Sequence, residues 1–415
     1  MTQAARLAWP GVTLPTPADA KVYLDAARAP LLAGRSYAPR TAAVAGGSPQ
    51  ALGFAVALAR TGVAVTLIEG DQHDAQRVSD TLSQAKTQAG ISIVVDVSMI
   101  TNVDVLIEAS GAAAPQRLAI LTALRKIAAA DAVLISLGYD PQFLDDAAQF
   151  EDAGRLVLID TAAPPPHIDL VEIIAASATT EAALTRVEGL ARHLGALPLR
   201  TSAFLGGSLL AGFEDCAEDL VFRGSTPWEV DAAVEAFGFD LGPCAAQDLR
   251  GLDIAYARHR REDASKARRF ATPVLDRMVP EGRLGRKGGV GWYRYPGGGG
   301  RVIDPLIEDL AREEAYFAGA TTLPIPDDTL RQHLVLALIN DAASLYAKGI
   351  PAPVIDLAAT AATGFPPTLG GPLFFAQHIG FRTIAKTLTD LAAVEGRHWA
   401  PTDGLLALAT RNRLV

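Results

Sequence analysis

The run TAAVAGGSPQALGFAVALARTGVAVTLIE, Thr41 to Glu69, sets the architecture. Ala42-Ala-Val-Ala45 is a short apolar strand, glycines make the turn, and Phe54–Arg60 is a helix on small residues. Val63–Ile68 is the next strand and ends at Glu69. Further apolar strands fit Val103–Ile107, Ala132–Ser136 and Leu156–Ile159, with helical runs such as Gln116–Ala130 between them. Strands alternating with helices build a parallel sheet covered by helices on both faces. After about Thr201 strand signals stop, and amphipathic helical spacing runs nearly to the C-terminus.

A chain of 415 residues is long for one ordinary domain and suggests two to four, each with its own core. It is 49% hydrophobic and 20% charged, rich in alanine and leucine and poor in aromatics, which favours helices packed on a parallel sheet over an all-β design. The net charge of -9 without a long basic block speaks against nucleic acid as a partner. A local basic patch can still hold an anionic cofactor. Cys216 and Cys244 form neither metal spacing nor a disulfide framework, which fits a reducing cytoplasm. Met1 to Thr16 lacks the order of a signal peptide, and no apolar run approaches the length of a membrane span.

The helical region contains an internal repeat. Leu220–Gly251 reads LVFRGSTPWEVDAAVEAFGFDLGPCAAQDLRG, and Leu345–Gly380 reads LYAKGIPAPVIDLAATAATGFPPTLGGPLFFAQHIG. Gly224 aligns with Gly349, Asp231 with Asp356, Gly238-Phe239 with Gly364-Phe365, and Gly242-Pro243 with Gly371-Pro372. Two copies of one helical unit can pack face to face about a pseudo-twofold axis, as two subunits would. Between them lies a glycine-rich, basic boundary, Gly282 to Gly300.

The stretch Ala163-Pro-Pro-Pro-His-Ile-Asp-Leu-Val-Glu-Ile-Ile174 resembles the catalytic segment of 3-hydroxyacyl-CoA dehydrogenases, a pattern of the form His-Phe-Phe-Asn-Pro followed by Leu-Val-Glu. With Phe237–Ile254, Gly282–Tyr295 and the repeat, the chain resembles the dehydrogenase half of the multifunctional fatty-acid oxidation enzymes over residues 40–410, with no hydratase domain ahead of it. The resemblance implies α/β plus all-α architecture: a Rossmann-type parallel sheet domain followed by two repeated helical C-terminal domains. The expected boundaries are 1–40 for an extension or linker with one helix around Ala18–Ala27, then 41–200, 201–300 and 301–415. The repeat implies that the family's dimer face is filled within one chain.

The resemblance also implies NAD. The family's Gly-x-Gly-x-x-Gly loop falls on Gly46, Ser48 and Ala51, and Glu69 stands 23 residues after Gly46, where an acidic residue binds a ribose hydroxyl. Ser48 puts a side chain where phosphates approach, and Pro49 removes one N–H. Glu69 read by itself is also compatible with a plain polar strand end.

In the family a histidine takes the substrate's hydroxyl proton and a glutamate orients it. Glu172 fits the second role; the alternative is a helix-start carboxylate satisfied by the dipole. Twelve residues earlier, Asp160 holds the histidine's place. An ordinary aspartate, pKa about 3.9 against about 6.5 for histidine, is a weaker base by ~3.5 kcal/mol. Two carboxylates in one apolar pocket raise one pKa, so Asp160 and Glu172 can share a proton; otherwise Asp160 is simply solvated. The family's Asn-Thr-Ser run falls on Leu137-Gly138-Tyr139, which leaves Tyr139 as the replacement donor, and its asparagines fall on Ala163 and Gly207. His167 lies nearby as a relocated base or a surface histidine. Arg117 takes the place of a substrate lysine, and Arg283, Arg286 and Lys287 offer charges to coenzyme A or form a solvated loop. Two functions follow. One is an NAD-dependent oxidation of a 3-hydroxyacyl-CoA with an altered site. The other is a silent relative that binds acyl-CoA or nucleotide, or scaffolds a hydratase or thiolase.

Overall fold

The computed structural model describes residues 9, 11–87, 90–138, 143, 146–161, 168–265, 269–270 and 272–414. The chain divides into two compact units, Arg28–Leu205 and Met1–Ala27 with Gly206–Val415. The helix α1 (Pro17–Leu32) starts on a reciprocal pair, the Thr16 hydroxyl donating to Asp19 at 2.6 Å and the Asp19 N–H returning to it at 3.1 Å.

The unit Arg28–Leu205 is an eight-stranded sheet ordered β3-β2-β1-β4-β5-β6-β7-β8. Its strands are β1 (Thr41–Ala45), β2 (Ala64–Ile68), β3 (Ile91–Val94), β4 (Val103–Glu108), β5 (Ala128–Leu137), β6 (Leu156–Thr161), β7 (Leu170–Ala175) and β8 (Leu197–Thr201). The first six run parallel; β7 is antiparallel to β6 and parallel to β8. The order turns back at β1, where α2 (Pro49–Arg60) leads to β2 on one side while β4 pairs on the other. That reversal opens a crevice beyond the strands' C-terminal ends, the ligand position of a doubly wound sheet.

Both faces are covered, which is why the strands read as unbroken apolar runs. One core joins Val44, Val105 and Ile135 to α2, α3 (Gln72–Gln84) and α5 (Glu181–His193) through Phe54, Leu58, Val78 and Leu190. The other joins Leu106, Leu134, Leu158 and Ile174 to α4 (Ala114–Leu124) through Leu121 and Leu124. The alanine-rich run expected to stay helical to Ala130 leaves α4 at Leu124 and enters β5 at Ala128. Pairing of Ala128 with Val103, next to a register shift, outweighs alanine's helix preference there.

In the helical unit the repeat is visible element by element. α6 (Leu205–Phe222), α7 (Pro227–Phe237), α8 (Pro243–Arg250) and α9 (Leu252–Ser265) form the first copy. After α10 (Pro273–Met278), the hairpin β9 (Tyr293–Arg294)–β10 (Val302–Ile303) and α11 (Leu306–Phe317) comes the second copy. It comprises α12 (Asp327–Ala347), α13 (Ala352–Thr363), α14 (Pro372–Ile379) and α15 (Phe381–Glu395), and α16 (Asp403–Arg411) closes the chain.

The aligned aspartates do the same work in both copies. Asp231 accepts the Cys244 and Ala245 N–H groups that open α8, at 2.9 and 3.0 Å; Asp356 accepts those of Leu373 and Phe374 in α14, at 2.7 and 3.0 Å. The aligned Gly242 and Gly371 make this possible, because a Cβ at either would sit 2.3 Å from the aspartate side chain. Equivalent residues Phe239 and Phe365 meet edge to face at 5.5 Å. A residue touching its own counterpart is the signature of twofold packing.

Candidate active site

The sequence-predicted residues that the structure brings together lie at the C-terminal ends of β4 to β6 and in the N-terminal half of the antiparallel β7, on the sheet face covered by α4. Asp160 in β6 is the direct cross-strand partner of Glu172 in β7, so both carboxylates leave the same side of the sheet. The next pair along, Leu158 and Ile174, belongs to the α4-side core, which fixes that face. Glu172 is buried, and its Oε2 accepts the Leu205 N–H that opens α6, at 2.6 Å. It is therefore a buried strand residue whose carboxylate holds the N-terminus of α6, not an exposed carboxylate at the start of its own helix.

Asp160 is partly buried, and its carboxyl is pushed up to about 6 by desolvation. The Thr161 N–H, 2.8 Å from Oδ1, and the positive charge of Arg117 pull the other way.

Arg117 rises from α4 into a buried network. Its Nε donates to Glu108 at 2.9 Å, and its Nη2 donates to the Ser136 hydroxyl at 2.6 Å and the Leu137 carbonyl at 3.0 Å. Ser136 donates in turn to Glu108 at 2.7 Å, and the guanidinium lies 4.2 Å from the Phe143 ring centroid. Removing either member of this ion pair would leave its partner buried and uncompensated, a cost of roughly 3–5 kcal/mol. Glu108 and Ser136 are cross-strand neighbours at the ends of β4 and β5, and sequence reading did not single them out as site residues. Their one signal was a polar residue closing an apolar strand, the same signal that identified Glu69. Gly207 lies exposed in the first turn of α6, without a side chain to offer a substrate. Tyr139, Ala163 and His167 lie outside the described residues.

The cofactor loop joins β1 to α2. Gly46 has φ of +107°, and a Cβ on it would stand 2.8 Å from the Ser110 backbone, so only glycine lets the turn pass the β4 loop. Ser48 is the N-cap of α2: its hydroxyl accepts the Ala51 N–H at 3.1 Å and donates to the Ala109 carbonyl at 2.9 Å. Pro49 at the first helical position has no N–H, so part of the helix's anion-binding end is already occupied. Ala51 is fully buried, as the third loop position needs for close helix–strand packing.

Glu69, at the end of β2, is buried with no hydrogen-bond partner on Oε1. Desolvation and the negative charge of Asp74 hold its carboxyl above the ordinary range, against Arg77. It lies over Gly47, where a Cβ would meet Oε1 at 2.1 Å. An unpaired acceptor at the end of the second strand, beside a glycine cradle, fits a dinucleotide whose ribose hydroxyl donates to it.

The basic loop in the helical unit is committed internally. Arg283 donates to the Gly291 carbonyl at 2.7 Å and pairs with Asp304, Lys287 pairs with Asp253, and Arg286 donates to the Gly298 carbonyl at 3.1 Å. These bonds tie down the glycine-rich segment. Among the described residues no helix is long and apolar enough to cross a membrane.

Residues 41–203 match the family described as 3-hydroxyacyl-CoA dehydrogenase, NAD binding domain, and residues 204–295 match 3-hydroxyacyl-CoA dehydrogenase, C-terminal domain. The chain is 27% identical over 383 residues to the peroxisomal bifunctional enzyme of Danio rerio, an alignment covering 84% of this chain and 53% of that protein. It is 28% identical over 269 residues to the fatty acid oxidation complex subunit alpha of Vibrio cholerae, covering 63% and 37%. The chain thus spans about half or less of the length of these curated relatives. In fold it matches 3-hydroxybutyryl-CoA dehydrogenase from Escherichia coli with a TM-score of 0.71 at 21% identity, covering 90% of this chain and 99% of that one. The dehydrogenase part of multifunctional enzyme 1 from C. elegans gives 0.67 at 20% identity, covering 98% and 99%.

Proposed function

The chain belongs to the 3-hydroxyacyl-CoA dehydrogenase family of NAD-dependent oxidoreductases of fatty-acid β-oxidation, and we propose that it oxidises a 3-hydroxyacyl-CoA with Asp160 as general base. The observation that carries this reading is the Asp160–Glu172 cross-strand pair, with Asp160 pushed up to about 6. That value lies close to the 6.5 of an ordinary histidine, so most of the ~3.5 kcal/mol deficit in basicity is recovered. A base near neutrality is what a proton transfer at physiological pH needs.

In this reading the 3-hydroxyl proton goes to the Asp160 carboxylate as C3 becomes a carbonyl. NAD, when bound, would supply the hydride acceptor, and the Gly46–Ala51 loop and Glu69 would hold it. Glu172 fixes the α6 N-terminus beside the base, and Arg117 limits how far Asp160 rises. Tyr139 and Gly207 remain proposed substrate neighbours. The Phe239–Phe365 contact supports a helical face filled within one chain, with no second copy docking there. The free, buried thiols of Cys216 and Cys244 are compatible with a reducing compartment such as the cytoplasm.

Asp160→Asn and Glu172→Gln are each expected to lower turnover by ~100-fold or more while melting stays cooperative. Unchanged turnover in both variants would remove the assignment. One observation favours the silent alternative, an acyl-CoA or nucleotide binder or a scaffold for a hydratase or thiolase: Ser48 occupies part of the phosphate-binding helix end. Failure to bind NADH in a direct titration would select it.

A further inference from the structure

We propose that Arg117 is a positioning residue and not a substrate contact: its guanidinium ties the ends of β4 and β5 together and fixes the backbone beside Asp160. The inference rests on the reading of Asp160 as the base.

Glu108, Ser136 and Asp160 each stand two residues beyond a buried core leucine, Leu106, Leu134 and Leu158, and so share the sheet face that those leucines present to α4. Arg117 reaches this row from α4. Its Nε donates to Glu108 at 2.9 Å and its Nη2 to the Ser136 hydroxyl at 2.6 Å. The same Nη2 lies 3.0 Å from the Leu137 carbonyl and 3.3 Å from that of Gly138. Gly138 has φ of +97°, where the chain leaves β5, and its N–H donates to the Ile159 carbonyl at 2.9 Å. Ile159 directly precedes Asp160. The bonds therefore run without a break from the guanidinium, through the end of β5, to the backbone that carries the base.

A substrate could not share this arginine. Only 4% of its side chain is exposed, and the Phe143 ring lies 4.2 Å from the guanidinium. Turning to a ligand would leave Glu108 buried without its cation. The task also suits arginine and not lysine. A planar fork of five N–H groups can bridge a carboxylate, a hydroxyl and two carbonyls, whereas an ammonium offers three donors from one point. The charged groups around Asp160 among the described residues are Glu172, its partner in β7, Arg117, and Glu108 paired with Arg117. Of these, Arg117 pulls the carboxyl down against desolvation.

The test combines steady-state oxidation of 3-hydroxybutyryl-CoA with NAD and a 13C-carboxyl NMR titration of the full chain, the Asp160 signal being the one lost in Asp160→Asn. Arg117→Lys keeps the charge and loses the fork. It should lower kcat about tenfold with KM for the CoA ester within about twofold, and leave the Asp160 titration in place. Arg117→Met should move that titration and the acid limb of kcat/KM up together, by about one pH unit. Where Arg117→Met fails to fold, Glu108→Gln/Arg117→Met removes both charges of the pair and carries the same expectation. A tenfold higher KM with kcat kept in Arg117→Lys would make Arg117 a substrate contact and overturn the proposal. So would an Asp160 carboxyl unmoved in the methionine variants. The titration needs no turnover, so it decides the tie between Arg117 and Asp160 even where the wild type is inactive and the dehydrogenase reading has failed on its own.

Discussion

Tyr23 and Asp356 are hydrogen-bonded across 333 positions of the chain, the phenol donating to Oδ2 at 2.8 Å. Tyr293 donates to Asp231 over the same distance, so each copy of the repeat receives a tyrosine on its capping aspartate from outside the repeat. Tyr23 comes from α1 and Tyr293 from the β9–β10 hairpin. Burial pushes both aspartates up to about 7, and the two helix N–H groups and the phenol on each hold them down. Each donor is therefore part of what keeps an expensive buried carboxyl in place.

Tyr23→Phe removes one donor and leaves the α14 cap under-satisfied. A loss of about 1–3 kcal/mol is expected, read as a lower urea midpoint, and Tyr293→Phe should match it. An unchanged midpoint in Tyr23→Phe would show that α1 decorates the second copy rather than supporting it.

The proposed base predicts the acid limb of the rate profile. Desolvation raises Asp160 to about 6, and the ionised form is the one that accepts a proton. Activity is therefore full above about pH 7 and falls tenfold per pH unit once the carboxyl is protonated, below about 6. Asp160→His should keep a limb in the same range, since the two pKa values nearly coincide, whereas Asp160→Asn should abolish it. A wild-type limb near pH 4, measured as kcat/KM, would mean that Asp160 is not the base.

Much of this was legible in the residues. Apolar runs with glycine turns gave the parallel strands, and the Gly242/Gly371 and Asp231/Asp356 alignment gave the twofold pairing, because capping needs the same residue types in both copies. The counting that put Asp160 twelve residues before Glu172 foretold two neighbouring carboxylates able to share a proton, but not the antiparallel β6–β7 register that pairs them. Register is set by long-range pairing, which no local pattern displays. Glu108 and Ser136 stayed hidden for the same reason: each is ordinary alone, and only their pairing through Arg117 makes a buried network. Nor does anything local announce that Tyr23 belongs with Asp356.

Ser48 is expected to restrain cofactor binding. Its hydroxyl takes the Ala51 N–H, one of the few helix-end donors left for a pyrophosphate after Pro49. Glycine at an N-cap costs only a few tenths of a kcal/mol in place of serine, so Ser48→Gly should fold. Freeing one N–H for an anionic oxygen is worth about 1 kcal/mol, or roughly fivefold tighter NADH. Fluorescence titration decides it; weaker binding in Ser48→Gly would mean that the serine hydroxyl itself holds the phosphates.

Glu69 separates binding from stability. With Oε1 buried and unpaired over Gly47, the side chain burdens the empty fold and is relieved only by a donor such as a ribose hydroxyl. Glu69→Ala should then change two observables in opposite directions. NADH affinity should fall about 10- to 100-fold, the worth of one hydrogen bond to a charged acceptor, about 1.5–3 kcal/mol. The ligand-free protein should gain on the order of 1 kcal/mol, seen as a melting point a few degrees higher. A purely structural strand end would lose stability on truncation and leave NADH binding alone, so differential scanning calorimetry beside the same titration distinguishes the two. If both quantities fall together, the carboxylate has a partner in the free protein and its vacancy over Gly47 is not a cofactor subsite.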